Sequence, residues 1–250
     1  MYPGIHAATH PDRPAVIQAE TGEVTTYGQL HERAIQLSNV LRNAGMQPGD
    51  HIAICMENHP RYLEVIWGCH YAGLIYTACS SRLTKAELVY IINDCAAKGF
   101  ITSKYKADQA LEVVGDIPNV TLRLMLSGTV DGFDSYEDVV SGASTTPLEN
   151  MVDGTDMLYS SGTTGMPKGI ARAFAATPIG TSAGLATALT VGLYQFSEEM
   201  VYLSPAPLYH AAPLRFNLSV HAMGGTTVVM EHFDAENYLK FAEKYKATHT

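Results

Sequence analysis

The sequence lacks several features that would decide its class at once. No run of about 18 apolar residues occurs, so we expect no membrane-spanning helix. Residues 1–6 have no basic segment and no apolar stretch after it, so we expect no secretory signal peptide. Only 16 lysines and arginines stand against 25 acidic residues, for a net charge of −9. Because no basic cluster is present, we do not expect nucleic acid as a partner.

Cysteine is scarce and widely spaced. The four cysteines form no C-x-x-C pair and lie in apolar surroundings, at Cys55, Cys69, Cys79 and Cys95. We therefore predict buried, reduced thiols rather than disulfides or a metal site, and a cytoplasmic location.

The remaining composition is that of a globular α/β protein, with 46% hydrophobic and 16% charged residues. Helical and strand patterns alternate along the chain, which indicates predominantly parallel sheets flanked by helices. Thr26 with Gln29 and Thr84 with Glu87 have the spacing of capping boxes and predict two helix starts. The apolar runs His51–Cys55 and Leu122–Leu126 predict buried strands.

Other local signals are less regular. Pro60 suits a first helical residue, and residues 178–194 predict a helix rich in small side chains. A further helix is predicted over residues 235–245, and the β-favouring residues after it predict the start of another strand.

The most informative stretch is residues 159–169, Tyr-Ser-Ser-Gly-Thr-Thr-Gly-Met-Pro-Lys-Gly. It places four serine and threonine hydroxyls, three glycines and a lysine on one short loop. Glycine lets backbone N–H groups approach an anion, hydroxyls donate to its oxygens, and lysine adds a mobile positive charge. This composition predicts a cradle for a polyphosphate, and a flexible polar loop is the alternative.

The loop is not a P-loop, because Gly165 is followed by Met-Pro-Lys-Gly rather than by Lys and Ser or Thr. Its order of hydroxyls, Gly-Thr-Thr-Gly and Pro-Lys-Gly resembles the adenylate-forming superfamily of acyl- and aryl-CoA synthetases, luciferases and peptide-synthetase adenylation domains. The resemblance implies a ligase that uses ATP and Mg²⁺ to activate a carboxylic acid as an acyl-adenylate and transfers the acyl group to coenzyme A. It implies phosphate contacts for Ser160, Ser161, Gly162, Thr163, Thr164, Gly165 and Lys168, with Ser160 as the metal-side hydroxyl.

A second candidate site lies in the proline-rich residues 204–214. Prolines stiffen a loop, so the imidazole of His210 can be held in one place, although a single histidine more often has a structural role. The resemblance implies that His210 lies beside the reacting carboxylate and is catalytic. The segment has no acidic residue to pair with the α-ammonium of an amino acid, and Ala211, Ala212 and Leu214 are expected to shape a pocket for a hydrophobic acid.

Three other charged or titratable residues are predicted to have structural roles. We assign Arg172 to an ion pair near the loop, and His221 and His232 to the core or surface of their own elements.

The resemblance covers most of the chain and implies part of a large N-terminal adenylation domain. Residues 1–154 would form its first βαβ region, and residues 155–250 the phosphate loop and the start of the acyl-pocket region. Because family members are longer, we expect an N-terminal piece without the small C-terminal domain, inactive by itself. Two alternatives stay open: an adenylate-forming ligase that acts on a carrier protein, and a non-catalytic nucleotide-binding module. The oligomeric state is also open, with a homodimer as one option.

Overall fold

A computed structural model describes residues 1–160, 166–171, 173–181 and 185–250. The chain divides into two compact units, each built from separate stretches of sequence. The first unit comprises Met1–Glu32, Asn58–Val65 and Ile179–Thr250, and the second comprises Arg33–Glu57 and Ile66–Pro178.

The secondary structure alternates between strands and helices along the chain. The described strands are β1 (Pro14–Gln18), β2 (Val24–Thr26), β3 (His51–Cys55), β4 (Ile75–Cys79), β5 (Gly99–Ser103), β6 (Leu122–Leu126), β7 (Asp134–Ser135), β8 (Thr155–Asp156), β9 (Leu158–Ser160), β10 (Lys168–Ile170), β11 (Val201–Ser204) and β12 (Thr226–Val229). The described α-helices are α1 (Pro3–Thr9), α2 (Tyr27–Asn43), α3 (Tyr62–Tyr71), α4 (Lys85–Asp94), α5 (Ala107–Val113), α6 (Tyr136–Ser141), α7 (Leu185–Tyr194), α8 (Ala211–Met223) and α9 (Ala235–Lys244).

Six of the described strands form the sheet of the second unit, in the order β7-β6-β5-β3-β4-β8. All neighbouring pairs in this sheet are parallel, and β3 pairs with β4 in a register that places Cys55 beside Cys79. Every residue of β4 and β5 is buried, because helices cover both faces of a parallel sheet. The predicted α/β class with a mainly parallel sheet is therefore confirmed.

The first unit contains a smaller mixed sheet in the order β11-β12-β1-β2. Strand β1 pairs in parallel with β12 and antiparallel with β2, and β11 pairs in parallel with β12. On the other side of β11, His249 forms a parallel bridge to Tyr202, in agreement with the strand expected after α9. Helix α8 packs in this unit, with Leu214 and Val220 fully buried.

Several local predictions are confirmed. Thr84 and Glu87 form a capping box at the start of α4, and Thr26 and Gln29 exchange the equivalent hydrogen bonds at the start of α2. Strands β3 and β6 have the predicted bounds. All four cysteines are buried and free. No helix within the described ranges is long and apolar enough to cross a bilayer.

The predicted helix over residues 178–194 is wrong at its start. Residues 178–181 are not helical, and α7 is described from Leu185. The backbone before it is drawn into extended pairing instead, since Val152 bridges Pro178 and the N–H of Asp153 donates to Thr177 O at 2.9 Å. Such long-range pairing overrides the local helical pattern.

Two other helices also differ from the sequence prediction. Helix α3 begins at Tyr62, because His59 Nδ1 accepts the Arg61 N–H and holds Pro60 in a turn. Helix α8 was not predicted, because the proline-rich composition of residues 204–214 favours a loop rather than a helix start.

Candidate functional site

The loop predicted to bind phosphate is carried by a β-hairpin, which we call the phosphate hairpin: β9, residues 161–167 and β10. Strand β9 directly continues the path of β8, and the N–H of Met157 donates to Tyr76 O on β4 at 3.0 Å. The hairpin therefore leaves the carboxyl end of an edge strand of the parallel sheet. In open α/β sheets this is the edge at which ligands bind.

Two of the predicted phosphate-binding residues face each other across the phosphate hairpin. Ser160, the last residue of β9, is the direct partner of Lys168, the first residue of β10. Directly opposed residues of an antiparallel pair project to the same face. Both side chains are exposed, so a hydroxyl and an ammonium group are available together at the mouth of the loop. The other predicted members, Ser161, Gly162, Thr163, Thr164 and Gly165, lie outside the described residues.

The base of the phosphate hairpin is anchored by an aromatic residue. The hydroxyl of Tyr159 donates to Asp94 Oδ2 at the end of α4. Burial, together with this carboxylate, raises the pKa of Tyr159 above its usual range, so the phenol stays protonated. Gly169 stands opposite Tyr159, and a Cβ added there would meet the Met157 methyl group first and would lie 2.9 Å from Tyr159 Cζ. These two side chains together occupy the space that any other residue at this position would need.

The second candidate lies on what we call the histidine loop, residues 205–210 between β11 and α8. His210 is the N-cap residue of α8 with an extended backbone, φ −89° and ψ 149°. Its N–H donates to Pro207 O at 3.2 Å, which closes a turn around Leu208 and Tyr209. Leu208 is fully buried, whereas the imidazole of His210 is exposed beside the Tyr209 ring, with the ring centroids 4.6 Å apart. The histidine loop therefore presents its imidazole to solvent from a buried base.

The predicted pocket residues occupy the first turn of α8. Ala211 is partly buried, Ala212 is exposed, and Leu214 is fully buried in the core. Pro213 fits there because the first-turn N–H groups of a helix have no partner within the helix. The helix ends at Gly224, whose φ of 84° is the left-handed conformation that glycine adopts readily.

The remaining candidate residues differ in burial and in whether the structure describes them. His221 is fully buried on α8 and His232 is exposed, as their local interpretations predicted, while Arg172 lies outside the described residues. The structure brings Ser160 and Lys168 together in the second unit, and His210, Ala211 and Leu214 together in the first. No cluster of three His, Cys, Asp or Glu side chains suited to a metal is found in the described part of the chain.

Asp94, the carboxylate that anchors Tyr159, was not predicted. It stands 65 residues before its partner, and a single acidic residue at a helix end carries no local signal of such a contact. Helix α8 did leave a signal, because the paired Gly224 and Gly225 follow it and a proline lies in its first turn.

Known proteins of one family are similar to this chain over most of its length. A family model described as AMP-binding enzyme matches residues 5–250. The protein 4-coumarate–CoA ligase 2 of Petroselinum crispum is 29% identical over 248 residues, covering 95% of this chain and 44% of that protein. Feruloyl-CoA synthase of Amycolatopsis sp is 31% identical over 229 residues, covering 91% of this chain and 43% of that protein.

A solved structure agrees with the architecture over nearly the whole chain. MbtA of Mycobacterium smegmatis, in its apo form, matches with a TM-score of 0.84 at 26% identity, covering 98% of this chain and 46% of that one. This chain spans less than half the length of the two curated relatives named above. Since the family model matches residues 5–250, the chain belongs to the AMP-binding enzyme family, and its relatives include CoA ligases.

Proposed function

We propose that the full-length protein is an ATP-dependent acid–thiol ligase. It would activate a hydrophobic carboxylic acid as an acyl-adenylate and transfer the acyl group to coenzyme A. The observation that carries this proposal is the pair Ser160 and Lys168, exposed and directly opposed at the mouth of the phosphate hairpin. The names of the two curated relatives, both ligases or synthases that form CoA thioesters, support it.

The chemistry needs neutralisation of charge more than it needs a base. A carboxylate oxygen attacks the α-phosphorus of ATP, one P–O bond forms, and the bond to pyrophosphate breaks. The thiol of coenzyme A then attacks the acyl carbon and releases AMP. Because the first nucleophile is already an anion, positioning and electrostatic stabilisation of the polyphosphate dominate the first step.

Lys168 and the loop hydroxyls fit this role. Lys168 supplies a cation at the mouth of the loop, and Ser160 supplies a hydroxyl on the same face of the hairpin. Mg²⁺ usually keeps several waters and binds through substrate phosphates and one or two carboxylates. The Ser160 hydroxyl would lie on the metal side of the phosphates and add one oxygen to such a site, as the hydroxyl of a phosphate loop can. When bound, the ion would neutralise phosphate charge.

His210 is proposed to contact the carboxylate that reacts. The imidazole is exposed at the start of α8, where the first-turn N–H groups favour an anion. The acid-free segment 204–214 supports an acid without an α-ammonium group, and the small Ala211 and Ala212 leave room for a bulky acyl or aryl group. Leu214 would contribute from the core behind them.

A test on the full-length protein measures carboxylate-dependent release of pyrophosphate from ATP. Lys168→Ala is expected to lower kcat/KM about 100-fold, the usual loss when one electrostatic stabiliser is removed. Lys240→Ala is the matched control, because Lys240 is also exposed but lies on α9 in an ion pair with Glu236 at 2.6 Å. Equal rates for the two variants would contradict the assignment of Lys168. A panel of aliphatic and aromatic acids would identify the substrate.

We also propose that residues 1–250 alone do not catalyse the reaction, since they span 44% of the length of 4-coumarate–CoA ligase 2. Purified chain of this length is expected to release no pyrophosphate in response to any acid that the full-length protein accepts. Acid-dependent release by this chain would refute the proposal.

A further inference from the structure

The histidine loop is held by one buried side chain, Asn58. The Asn58 amide is only 5% exposed and makes three hydrogen bonds within the first unit. Its Oδ1 accepts the N–H of Leu208 at 2.8 Å, and its Nδ2 donates to the carbonyl oxygens of Ala206 at 3.1 Å and Met230 at 2.9 Å. The acceptor and both donor hydrogens of the amide are therefore used.

These bonds clamp the loop on both sides of Pro207. Ala206 O and Leu208 N–H belong to the histidine loop itself, while Met230 follows the last residue of β12. A carboxamide is planar, so its oxygen and nitrogen keep a constant separation. The backbone at Ala206 and Leu208 consequently cannot shift without breaking a bond to Asn58 or moving the amide away from Met230.

His210 follows Leu208 by two residues, and its own N–H is bonded back to Pro207 O. The position of the exposed imidazole thus depends on a backbone that Asn58 holds from the buried side. The loop also buries the Leu208 side chain completely, but apolar contacts do not specify direction.

We propose that Asn58 is a positioning residue for His210, an inference that rests on the proposed function. The geometry requires one acceptor and two donors in a single short plane, and only a carboxamide supplies these. An aspartate of the same size would retain the bond to Leu208 but would place an oxygen against two carbonyl oxygens. An alanine would remove all three bonds.

The kinetic test uses the full-length protein with Asn58→Ala and Asn58→Asp. Asn39→Ala is the matched control, because the Asn39 amide in the second unit also donates to two distant backbone carbonyls, Ser144 O at 3.0 Å and Thr146 O at 2.9 Å. Misplacement of His210 by about 1 Å is expected to lower kcat/KM for the carboxylic acid about 100-fold in both Asn58 variants. The KM for ATP should stay at the wild-type value, and the control should keep both parameters.

This split separates positioning from general destabilisation. All variants are assayed well below their thermal unfolding midpoints. A fall in kcat/KM for the acid with an unchanged KM for ATP therefore supports the proposal. A rise in the KM for ATP as large as the fall in kcat/KM for the acid would overturn it. An equal fall in kcat/KM for the acid in Asn58→Ala and Asn39→Ala would also overturn it. Because Asn58→Asp leaves no cavity, a loss in that variant is not caused by empty space.

A second measurement needs no catalytic activity. Amide hydrogen exchange of the full-length wild type should show the Leu208 N–H protected as strongly as the N–H groups of β12, and Asn58→Asp should leave that protection while Asn58→Ala abolishes it. Rapid exchange at Leu208 in the wild type would overturn the clamp. If His210→Ala leaves acid activation unchanged while Leu208 stays protected, the proposed role of His210 fails and the clamp is confirmed separately.

Discussion

His221 gives the sharpest stability prediction, because it is a fully buried histidine in a neutral state. Its Nε2 lies 3.2 Å from the carbonyl oxygen of Ala15, and since a carbonyl only accepts, Nε2 carries the hydrogen. The ring stands edge-on to Tyr27, with 6.1 Å between the centroids. Burial lowers the pKa of His221 to about 4, the bond to Ala15 partly opposes this, and nearby His6 lowers the pKa further.

The sign of the pH effect follows from this lowered pKa. The unfolded chain binds a proton near the ordinary value of 6.5, whereas the folded chain resists protonation down to about 4. Stability from the neutral imidazole is therefore present above about 6.5 and is lost as the pH falls toward about 4. For this pKa difference the loss amounts to about 2 kcal/mol between about pH 7 and about pH 5, and to about 3 kcal/mol in full.

The assay is urea unfolding of the wild type and two variants at these two pH values. His221→Gln keeps a donor in place of Nε2 and removes the titration, so its free energy of unfolding should fall by about 2 kcal/mol less than that of the wild type. His232→Gln is the control, because that side chain is 67% exposed. The fixed cost of each substitution cancels in the difference between the two pH values. The contribution of the carboxylates cancels when that difference is compared between the wild type and the variant.

Two outcomes would refute this reasoning. The first is an equal loss of stability on acidification in the wild type and in His221→Gln. The second is a change in the pH dependence of His232→Gln as large as that of His221→Gln, because the effect would then not come from the burial of His221.

Other substitutions test the packing of the second unit. Gly154→Ala should lower the free energy of unfolding in urea by about 3 kcal/mol, since its Cβ would lie 2.6 Å from Leu74 O and 2.9 Å from Cys69 O, whereas Gly115→Ala, with nothing within 4 Å, should cost far less. Thr84→Ala removes the cap of α4 and should cost about 1 kcal/mol in the same assay. A thiol reagent monitored by absorbance should modify the four buried cysteines only as the chain unfolds; rapid labelling of the folded chain would contradict their burial.

The sequence predicts those elements whose residues carry a complete local signal. Strands β3 and β6 are apolar runs between polar turns, and α4 has a capping box at its start and an apolar stripe at Leu88, Ile91 and Ile92. Helix α8 escaped prediction because Asn217, Ser219 and His221 interrupt the apolar stripe on its buried face, which left only the proline and glycine signals at its ends.

The order of strands in the parallel sheet also lies beyond local signals. Strand β5 pairs with β3 rather than with β4, the strand that precedes it in the chain. The choice depends on which crossover lets the helices cover both faces, and a one-dimensional pattern does not contain it. Strands β3 and β6 were predicted with their bounds, whereas the neighbours of each strand in the sheet were not.

The motif of the phosphate hairpin combines positions of two kinds, and the structure separates them. Gly169 is explained by packing, because the Met157 methyl group and the Tyr159 ring fill the space beside it and Asp94 holds that ring. Ser160 and Lys168 are exposed, and packing does not account for a hydroxyl and an ammonium group opposite each other. A motif match at Gly169 is therefore evidence for the hairpin, while the residue types at Ser160 and Lys168 are evidence for an anion. Substituting Gly169 should disturb folding, whereas substituting Lys168 should disturb nucleotide chemistry and leave the fold intact.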